Sequence, residues 1–409
     1  MSEIEYGGGW HGWETDRVFP FRWMSRQAGV RLPREPLQGN RYLTLLIFSE
    51  FTDYSQTISV TAGGRELAVL PLLYQWSFYS IDLRPDAGET PSSGSLEVSL
   101  TLSKVFPERY HPGDGRELGV RVGPIDFHDD PVRHESLRFF LDNAQRNNRE
   151  MREGKTKLTS YPINLGIDIY GKCNINPPCV YCLWDKMKVM EGKYTDAVVD
   201  DRTLEGYGPF FKAARNLEQC SFGEPLLHPR FKEILELSRR HGKFMEISTN
   251  GQAFTCRTIE ALVGKHVYLY VSLDAATRET YARIRNDNWD KIIPNLELLN
   301  QERKKEGNFP KIFMVFMPMH VNENDLEAYF QLCRKVEADS VILRPLISLW
   351  NPKIERDRGG YHFDYKREYL SREEMEDVVR RCEEYSRRYG VPVANQLNFG
   401  TLVPPGSKR

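Results

Sequence analysis

Three cysteines fall within ten residues in the stretch INLGIDIYGKCNINPPCVYCLW, from Ile163 to Trp184. A run rich in β-branched residues ends at Gly171, and Cys173, Cys179 and Cys182 follow on what reads as one loop. Thiolates so close together converge on one soft cation or on an iron–sulfur cluster. Structural zinc ordinarily takes a closed set of four ligands. The other cysteines, Cys220, Cys256, Cys333 and Cys382, stand alone with no partner at ligand spacing. A [4Fe–4S] cluster held by three thiolates leaves one iron open to an outside ligand. Two other readings stay open here: zinc completed by a distant fourth ligand, and buried thiols with no metal.

Around this loop the chain alternates. Apolar, β-branched runs predict strands at 163–170, 217–221, 243–248, 267–272, 311–317 and 340–345. Amphipathic runs predict helices at 203–215, 229–241, 257–263, 289–306, 324–337 and 371–389. Six such units imply parallel strands with right-handed crossovers, and chemistry at the C-terminal strand ends. Polar residues stand at those ends: Glu224, Ser248 to Asn250, Ser272 and Asp274, and Arg344 before Pro345. Asp274 has an alternative use as cap of a helix starting near Thr277. Arg344 reads equally as a structural ion-pair partner. His228, before Pro229, reads as a loop residue rather than a proton donor.

Residues 1–126 read differently. Short alternating runs predict strands at 42–51, 57–61, 67–73, 76–83, 96–102 and 118–127, with Gly63-Gly64 as a hairpin turn. That pattern predicts an all-β sandwich. Its opening segment carries Trp10, Trp13 and Trp23 beside Glu14 and Arg22. Tryptophan near arginine suits sugar stacking, but large aromatics more commonly plug the end of a small core. Residues 127–160 read as a helical connector, with Leu137, Phe140, Leu141 and Ala144 on one stripe. Residues 348–409 form a C-terminal loop and helix that complete or cover the 161–347 unit. Tyr361, His362, Phe363, Tyr365 and Tyr369 in that loop either reach the barrel mouth or pack under the last helix.

Several motifs in order now resemble the radical S-adenosylmethionine (radical SAM) superfamily. They are the cysteine triad with Tyr181 before its third member; Ser221-Phe222-Gly223-Glu224-Pro225-Leu226, similar to a Gly-Gly-Glu-Pro strand end; Ser248-Thr249-Asn250-Gly251; and Ser272-Leu273-Asp274 with Tyr281 and Arg285. The departure is Cys-x5-Cys-x2-Cys in place of the commoner Cys-x3-Cys-x2-Cys. The two added residues accompany Pro177-Pro178, which stiffen the loop. Phe222 stands where the family has its first glycine.

The resemblance implies a partial (β/α)6 barrel behind the β-sandwich, and a [4Fe–4S] cluster on Cys173, Cys179 and Cys182. It implies S-adenosylmethionine chelated at the open iron and cleaved reductively to a 5′-deoxyadenosyl radical. Contacts to that cofactor would come from Tyr181, Gly223, Glu224, Pro225, Ser248, Thr249, Asn250, Ser272 and Arg344, with Glu224 accepting from the methionyl ammonium. An electron donor such as flavodoxin or ferredoxin is implied as partner. The β domain is similar to those of some bacterial glycan-modifying proteins, which implies a small-molecule or glycan-related substrate. A peptide substrate is the first alternative, and a metal-stapled scaffold without catalysis the second. With Cys382 alone after residue 348, no auxiliary cluster is expected.

Composition limits the rest. Hydrophobic content of 40% and charged content of 28% over 409 residues describe a globular chain of two or three domains. A formal net charge of −1 recruits neither nucleic acid nor an anionic membrane. The opening MSEIEYGGGW lacks signal-peptide character, and the apolar runs are far shorter than the ~18 residues of a membrane helix. Seven cysteines then read as reduced thiols of a cytoplasmic protein.

Overall fold

Before the first helix, apolar side chains recur at every second position. In Gln27–Pro33, Ala28, Val30 and Leu32 are buried while Gln27 and Arg31 face out. A period of two with one buried face is what a half-covered strand requires. A computed structural model of the chain describes residues 4–16, 18–33, 41–83, 95–107, 113–128, 136–182, 198–219, 223–346 and 354–397. Two units separate by their contacts. One comprises Met1–Ile163, Pro209–Arg215 and Ser238–Lys243; the other comprises Asn164–Gly208, Asn216–Leu237 and Phe244–Arg409.

Eleven strands run through the described residues of the first unit: β1 (Glu5–Tyr6), β2 (Trp10–Thr15), β3 (Pro20–Met24), β4 (Gln27–Pro33), β5 (Tyr42–Phe48), β6 (Thr57–Ala62), β7 (Arg65–Pro71), β8 (Ser77–Asp82), β9 (Ser95–Leu102), β10 (Val120–Val122) and β11 (Asp126–His128). They form two antiparallel sheets, one ordered β1-β4-β9-β6-β7, the other β11-β5-β10-β3-β2 with β8 also on β5. Val30, Leu32, Val60, Val98 and Leu100 of the first sheet share one core with Leu43, Leu45, Ile47, Tyr79 and Val120 of the second. The expected sandwich is present. β6 and β7 turn at Gly63-Gly64, both at positive φ.

Two expectations need correction. None of the four strands before residue 34 is among the expected ones: Gly7 to Gly9 and Pro20 break the pattern around β1 to β3, although β4 alternates. The expected strand at 118–127 is broken in two at Gly123-Pro124, since proline supplies no ladder donor.

The tryptophans divide. Trp23 is buried and packs edge-on to Phe21 and Phe106. Trp10 is half-buried and donates to the Gly29 carbonyl at 2.8 Å. Trp13 is 47% exposed, and the Arg22 guanidinium lies 4.9 Å from its ring and 4.4 Å from that of Tyr6. Trp23→Ala should therefore destabilise this unit by about 3–5 kcal/mol, the cost of a large core truncation. Trp13→Ala should cost about 1 kcal/mol or less, the worth of an exposed cation–π contact. Thermal melts of the two variants check this ordering; equal effects would contradict it.

The helix Leu137–Arg152 places Phe140 and Ala144 against Tyr54 and Leu73 of the first unit. Its Glu150 accepts from the amides and hydroxyls of Thr159 and Ser160, which holds its carboxyl down at about 2.

In the second unit, parallel strands lie in the order β12 (Leu165–Gly166), β13 (Leu217–Gln219), β14 (Met245–Thr249), β15 (Val267–Ser272), β16 (Lys311–Phe316), β17 (Ser340–Leu343) and β20 (Val393–Asn395). Helices at Phe231–Arg240, Cys256–Leu262, Trp289–Lys305, Leu326–Lys335 and Arg372–Tyr389 follow successive strands, each within a few residues of its expected place. The α/β unit is a partial barrel of the expected kind, with a seventh strand. β20 pairs with β17, so the C-terminal segment extends the sheet itself. The expected helix 203–215 is split into Asp201–Gly206 and Gly208–Ala213, where Gly208-Pro209 interrupts it. The expected strand 163–170 keeps only Leu165–Gly166 in the ladder, with Tyr170 bridged to Val198.

An antiparallel hairpin, β18 (Glu355–Arg358) and β19 (Tyr361–Asp364), turns at Gly359-Gly360, both at positive φ as a two-residue turn demands. Its Phe363, with Ile354 and Tyr365, packs on Val180, Ile284, Met319 and Leu346. The aromatic segment therefore packs beside the cysteine loop and on residues that follow β16 and β17, at the C-terminal strand ends, the first of the two expected placements. Trp350 and its neighbours through 353 lie outside the described residues.

Candidate active site

β14 and β15 each bury alternate residues. Met245, Ile247 and Thr249, and Val267, Leu269 and Val271, face a covered side, while Glu246, Ser248, Tyr270 and Ser272 stand half-exposed on the other. Parallel strands covered on both faces read as continuous apolar runs. The polar half of these strands therefore marks the side that meets solvent or ligand. The candidate site gathers at their C-terminal ends.

Gly223 is forced by crowding. A Cβ there would lie 2.1 Å from the Tyr170 carbonyl oxygen and 2.5 Å from that of Lys172, so only glycine fits. The Glu224 amide donates to the Lys172 carbonyl at 2.7 Å, which sets this segment against the residue before Cys173. Pro225 opens a short helical turn, Pro225–Leu227, capped by the Glu224 carboxylate. Cys220, Ser221 and Phe222 lie outside the described residues.

Glu224 is buried, and its carboxylate has three donors. Oε1 accepts from Thr249 Oγ1 at 2.8 Å and from the Leu226 amide at 3.2 Å; Oε2 accepts from the Asn250 amide at 2.8 Å. Burial nevertheless pushes its carboxyl up to about 7, since these bonds offset only part of the desolvation. A carboxylate has roughly four acceptor sites. Among the described residues the remaining one, on Oε2, has no donor.

Asn250 joins Glu224 to the cysteine loop. Its side-chain nitrogen donates to Asn174 Oδ1 at 2.8 Å and approaches Cys173 Sγ at 3.5 Å. Gly251 adopts φ 78°, the left-handed turn its sequence predicts. Thr249, expected to reach a ribose or carboxylate, has its hydroxyl engaged by Glu224 and by the Gly251 amide. Ser248 and Ser272 remain on the half-exposed face.

Asp274 is not a cap. Thr277 caps the helix Arg278–Ile284 through the Thr280 amide. Asp274, fully buried at φ 59°, instead pairs with Arg285 at 2.6 Å and accepts from Tyr181 Oη at 2.7 Å and the Met317 amide at 3.0 Å. Arg285 also bonds the Tyr181 hydroxyl and reaches Cys179 Sγ at 3.6 Å. Tyr181 thus anchors the loop to this ion pair. Sequence reasoning took Arg285 as a motif letter only; the pairing of a buried Arg with a buried Asp eleven residues away has no local signature.

Arg344 stacks 4.7 Å from the Tyr270 ring and donates to Gln396 at 3.2 Å. It holds the half-exposed face of β15 and the end of β20. His228 has both ring nitrogens occupied, by the Val199 carbonyl and the Arg230 amide, which makes it a structural loop residue.

The three thiols share one loop, bent by a Cys182 amide bond to the Cys179 carbonyl at 3.0 Å, with a cis Asn176–Pro177 peptide before it. Cys173 is exposed, Cys182 half-exposed and Cys179 buried. Burial pushes the Cys179 thiol up to about 12, against the pull of Arg285, and the other two sulfurs add to the rise. The sulfurs are thus close enough to feel one another. Among the described residues, however, no three Cys, His, Asp or Glu side chains are drawn in around one metal position. Three soft sulfur donors suit an iron–sulfur group. Two buried guanidinium nitrogens beside them, Arg285 Nε and Arg358 Nη1, have no hydrogen-bond partner among the described residues. No helix among the described residues is long and apolar enough to cross a membrane.

Residues 167–333 match the family model described as the Radical SAM superfamily. A mouse (Mus musculus) S-adenosyl-L-methionine-dependent tRNA 4-demethylwyosine synthase, TYW1, is 25% identical over 130 residues, 30% of this chain and 17% of that protein. The chain thus spans about a sixth of the curated relative it matches. Among solved structures, SuiB of Streptococcus suis bound to S-adenosylmethionine is similar at a TM-score of 0.47, with 13% identity over 63% of this chain and 56% of that one. A radical SAM methyltransferase from Sphaerobacter thermophilus gives 0.40, with 18% identity over 58% and 67%. The motif order, the partial barrel and the family match lead to one assignment: the chain carries a radical SAM superfamily domain over residues 167–333, the domain of enzymes that pair an iron–sulfur cluster with S-adenosylmethionine.

Proposed function

We propose that this protein is a radical SAM enzyme in which Cys173, Cys179 and Cys182 hold a [4Fe–4S] cluster and Glu224 receives the ammonium of S-adenosylmethionine. When bound, the pair supplies reductive cleavage of a sulfonium and, from it, hydrogen abstraction from a substrate. The observation that carries this reading is the Glu224 carboxylate. It is buried with three donors and one acceptor site open, and is tied through Asn250 to Cys173. An incoming ammonium would fill that site and supply the counter-charge that burial denies the carboxylate.

The chain's own residues bind, orient and shield. Gly223 admits the backbone to the loop, and Thr249 and the Asn250 amide fix both carboxylate oxygens. Arg285, Asp274 and Tyr181 keep the buried side of the loop in place. Ser272 and Ser248, on the half-exposed face, are read as ribose contacts. Glu246, Tyr270 and Arg344 line the same face and are read as the substrate side. A flavodoxin- or ferredoxin-type donor supplies the electron. The glycan-related substrate reading rests on the exposed Trp13 beside Arg22 and Tyr6 in the first unit. It expects saccharides to change tryptophan emission in the wild type and not in Trp13→Ala; a flat titration would remove it.

Glu224→Gln tests the carrying observation. It removes a charged acceptor and no iron ligand, so iron content should be unchanged. Binding of S-adenosylmethionine should fall about ten- to a hundredfold, the equivalent of about 1.5–3 kcal/mol for a bond to a charged group. Titration of the reduced cluster followed by electron paramagnetic resonance reads this directly. An unchanged titration curve would return Glu224 to a purely structural part.

A further inference from the structure

Two arginines of the β18–β19 hairpin reach the cysteine loop through its backbone. Arg356 spans the turn, with Nη1 donating to the Cys179 carbonyl at 2.6 Å and Nη2 to the Cys182 carbonyl at 3.3 Å. Arg358 donates from Nη2 to the Pro178 carbonyl. One fork therefore grips two of the three residues whose sulfurs are proposed ligands, and the next grips the residue before them. A guanidinium fork holds two oxygens in fixed geometry in a way a lysine does not.

The hairpin is itself anchored. Ile354 and Phe363 are buried with Val180, which lies between the two gripped cysteines, and the Val180 amide donates to the Ile284 carbonyl at 2.9 Å. Tyr361 Oη bonds Glu368 at 2.6 Å, and Glu368 in turn accepts from the Val321 amide at 2.9 Å.

Arg285 meets Cys179 at the sulfur, while Arg356 and Arg358 meet its loop at the carbonyls. Arg285 is neutralised by Asp274. Among the described residues Asp287 is the carboxylate whose charge acts on Arg358. Arg358 Nη1 is buried with no hydrogen-bond partner among the described residues.

We infer that Arg356 and Arg358 are positioning residues for the iron–sulfur cluster: they hold the 178–182 turn in its ligating shape, and their positive charge makes the bound cluster easier to reduce. The inference rests on the cluster reading above. The redox step is the gain of one electron by the cluster from an external one-electron reductant, with no bond made or broken. Reduction adds negative charge, which nearby guanidinium groups favour, and cluster potentials respond to local charge and hydrogen bonding.

Full-length protein reconstituted anaerobically would be titrated with dithionite through redox mediators and followed by electron paramagnetic resonance. Wild type, Arg356→Gln, Arg358→Gln and the charge-keeping Arg358→Lys would be compared. Both glutamine variants should shift the midpoint to more negative values by about 59 mV or more, a tenfold change in the reduced-to-oxidised ratio for one electron. Arg358→Lys should shift less. Identical midpoints in wild type and both glutamine variants would overturn the inference. If a glutamine variant holds no cluster, amide exchange in the cluster-free proteins decides. Faster exchange at Cys182 in Arg356→Gln supports the brace, and unchanged exchange overturns it. A wild type that binds no iron would instead sink the cluster reading.

Discussion

Replacing Cys173, Cys179 and Cys182 together by alanine should take iron from about four per chain, as one [4Fe–4S] cluster requires, to background. The thiolates are the soft donors of the loop, and Cys220, Cys256, Cys333 and Cys382 lie elsewhere in the sequence. Cys333 and Cys382 are buried, with thiols pushed well up by desolvation, so neither is a ready substitute ligand. Single variants should lose most of the iron as well, because a cluster left with two protein thiolates is poorly held. Iron and sulfide analysis after anaerobic reconstitution gives the answer. Iron retained by the triple variant would refute the assignment.

The second large effect concerns the ion pair behind the loop. Arg285 and Asp274 have side chains 4% and 0% exposed and are separated by 2.6 Å. Removing one partner from such a pair leaves a buried charge uncompensated, at a cost of about 3–5 kcal/mol. Asp274→Ala should therefore destabilise the cluster-free second unit by that amount. It also removes the acceptor used by the Tyr181 hydroxyl and the Met317 amide. Asp274→Asn keeps an acceptor for Met317 and should cost less. Urea denaturation of the cluster-free variants beside wild type reads the difference. A midpoint unmoved in Asp274→Ala would show that Arg285 finds its compensation elsewhere.

Much of the second unit was legible because its signals are local. A β-branched run, a polar residue at its end and an amphipathic helix recur, and each strand–helix step is written in consecutive residues. The motif residues came together for the same reason: Gly223-Glu224 and Thr249-Asn250 end neighbouring parallel strands, so adjacency in the sheet is adjacency in the site.

What escaped the sequence was either short or long-range. β20 is three residues, Val393–Asn395, and its membership in the sheet depends on β17 being free on that edge. The β18–β19 hairpin hides as a charge run, Glu355 to Arg358, although Gly359-Gly360 marks its turn. Only its packing on Val180 gives it a role. Asp274 carried a plausible local use as a cap, and Thr277 took that place because it stands directly before the helix. Of the strands from Glu5 to Pro33, β3 pairs with β10 and β4 with β9, more than sixty residues away in both cases, which no window of sequence displays.

The central claim is that three cysteines of this chain hold a cluster whose remaining position is taken by S-adenosylmethionine. Electron paramagnetic resonance of the reduced, reconstituted full-length protein with and without S-adenosylmethionine tests it most directly. A cluster signal whose g-values change on adding S-adenosylmethionine, and do not change on adding S-adenosylmethionine to a fully thiolate-ligated control ferredoxin, is the expected result. A signal identical in the presence and absence of saturating S-adenosylmethionine would contradict the account.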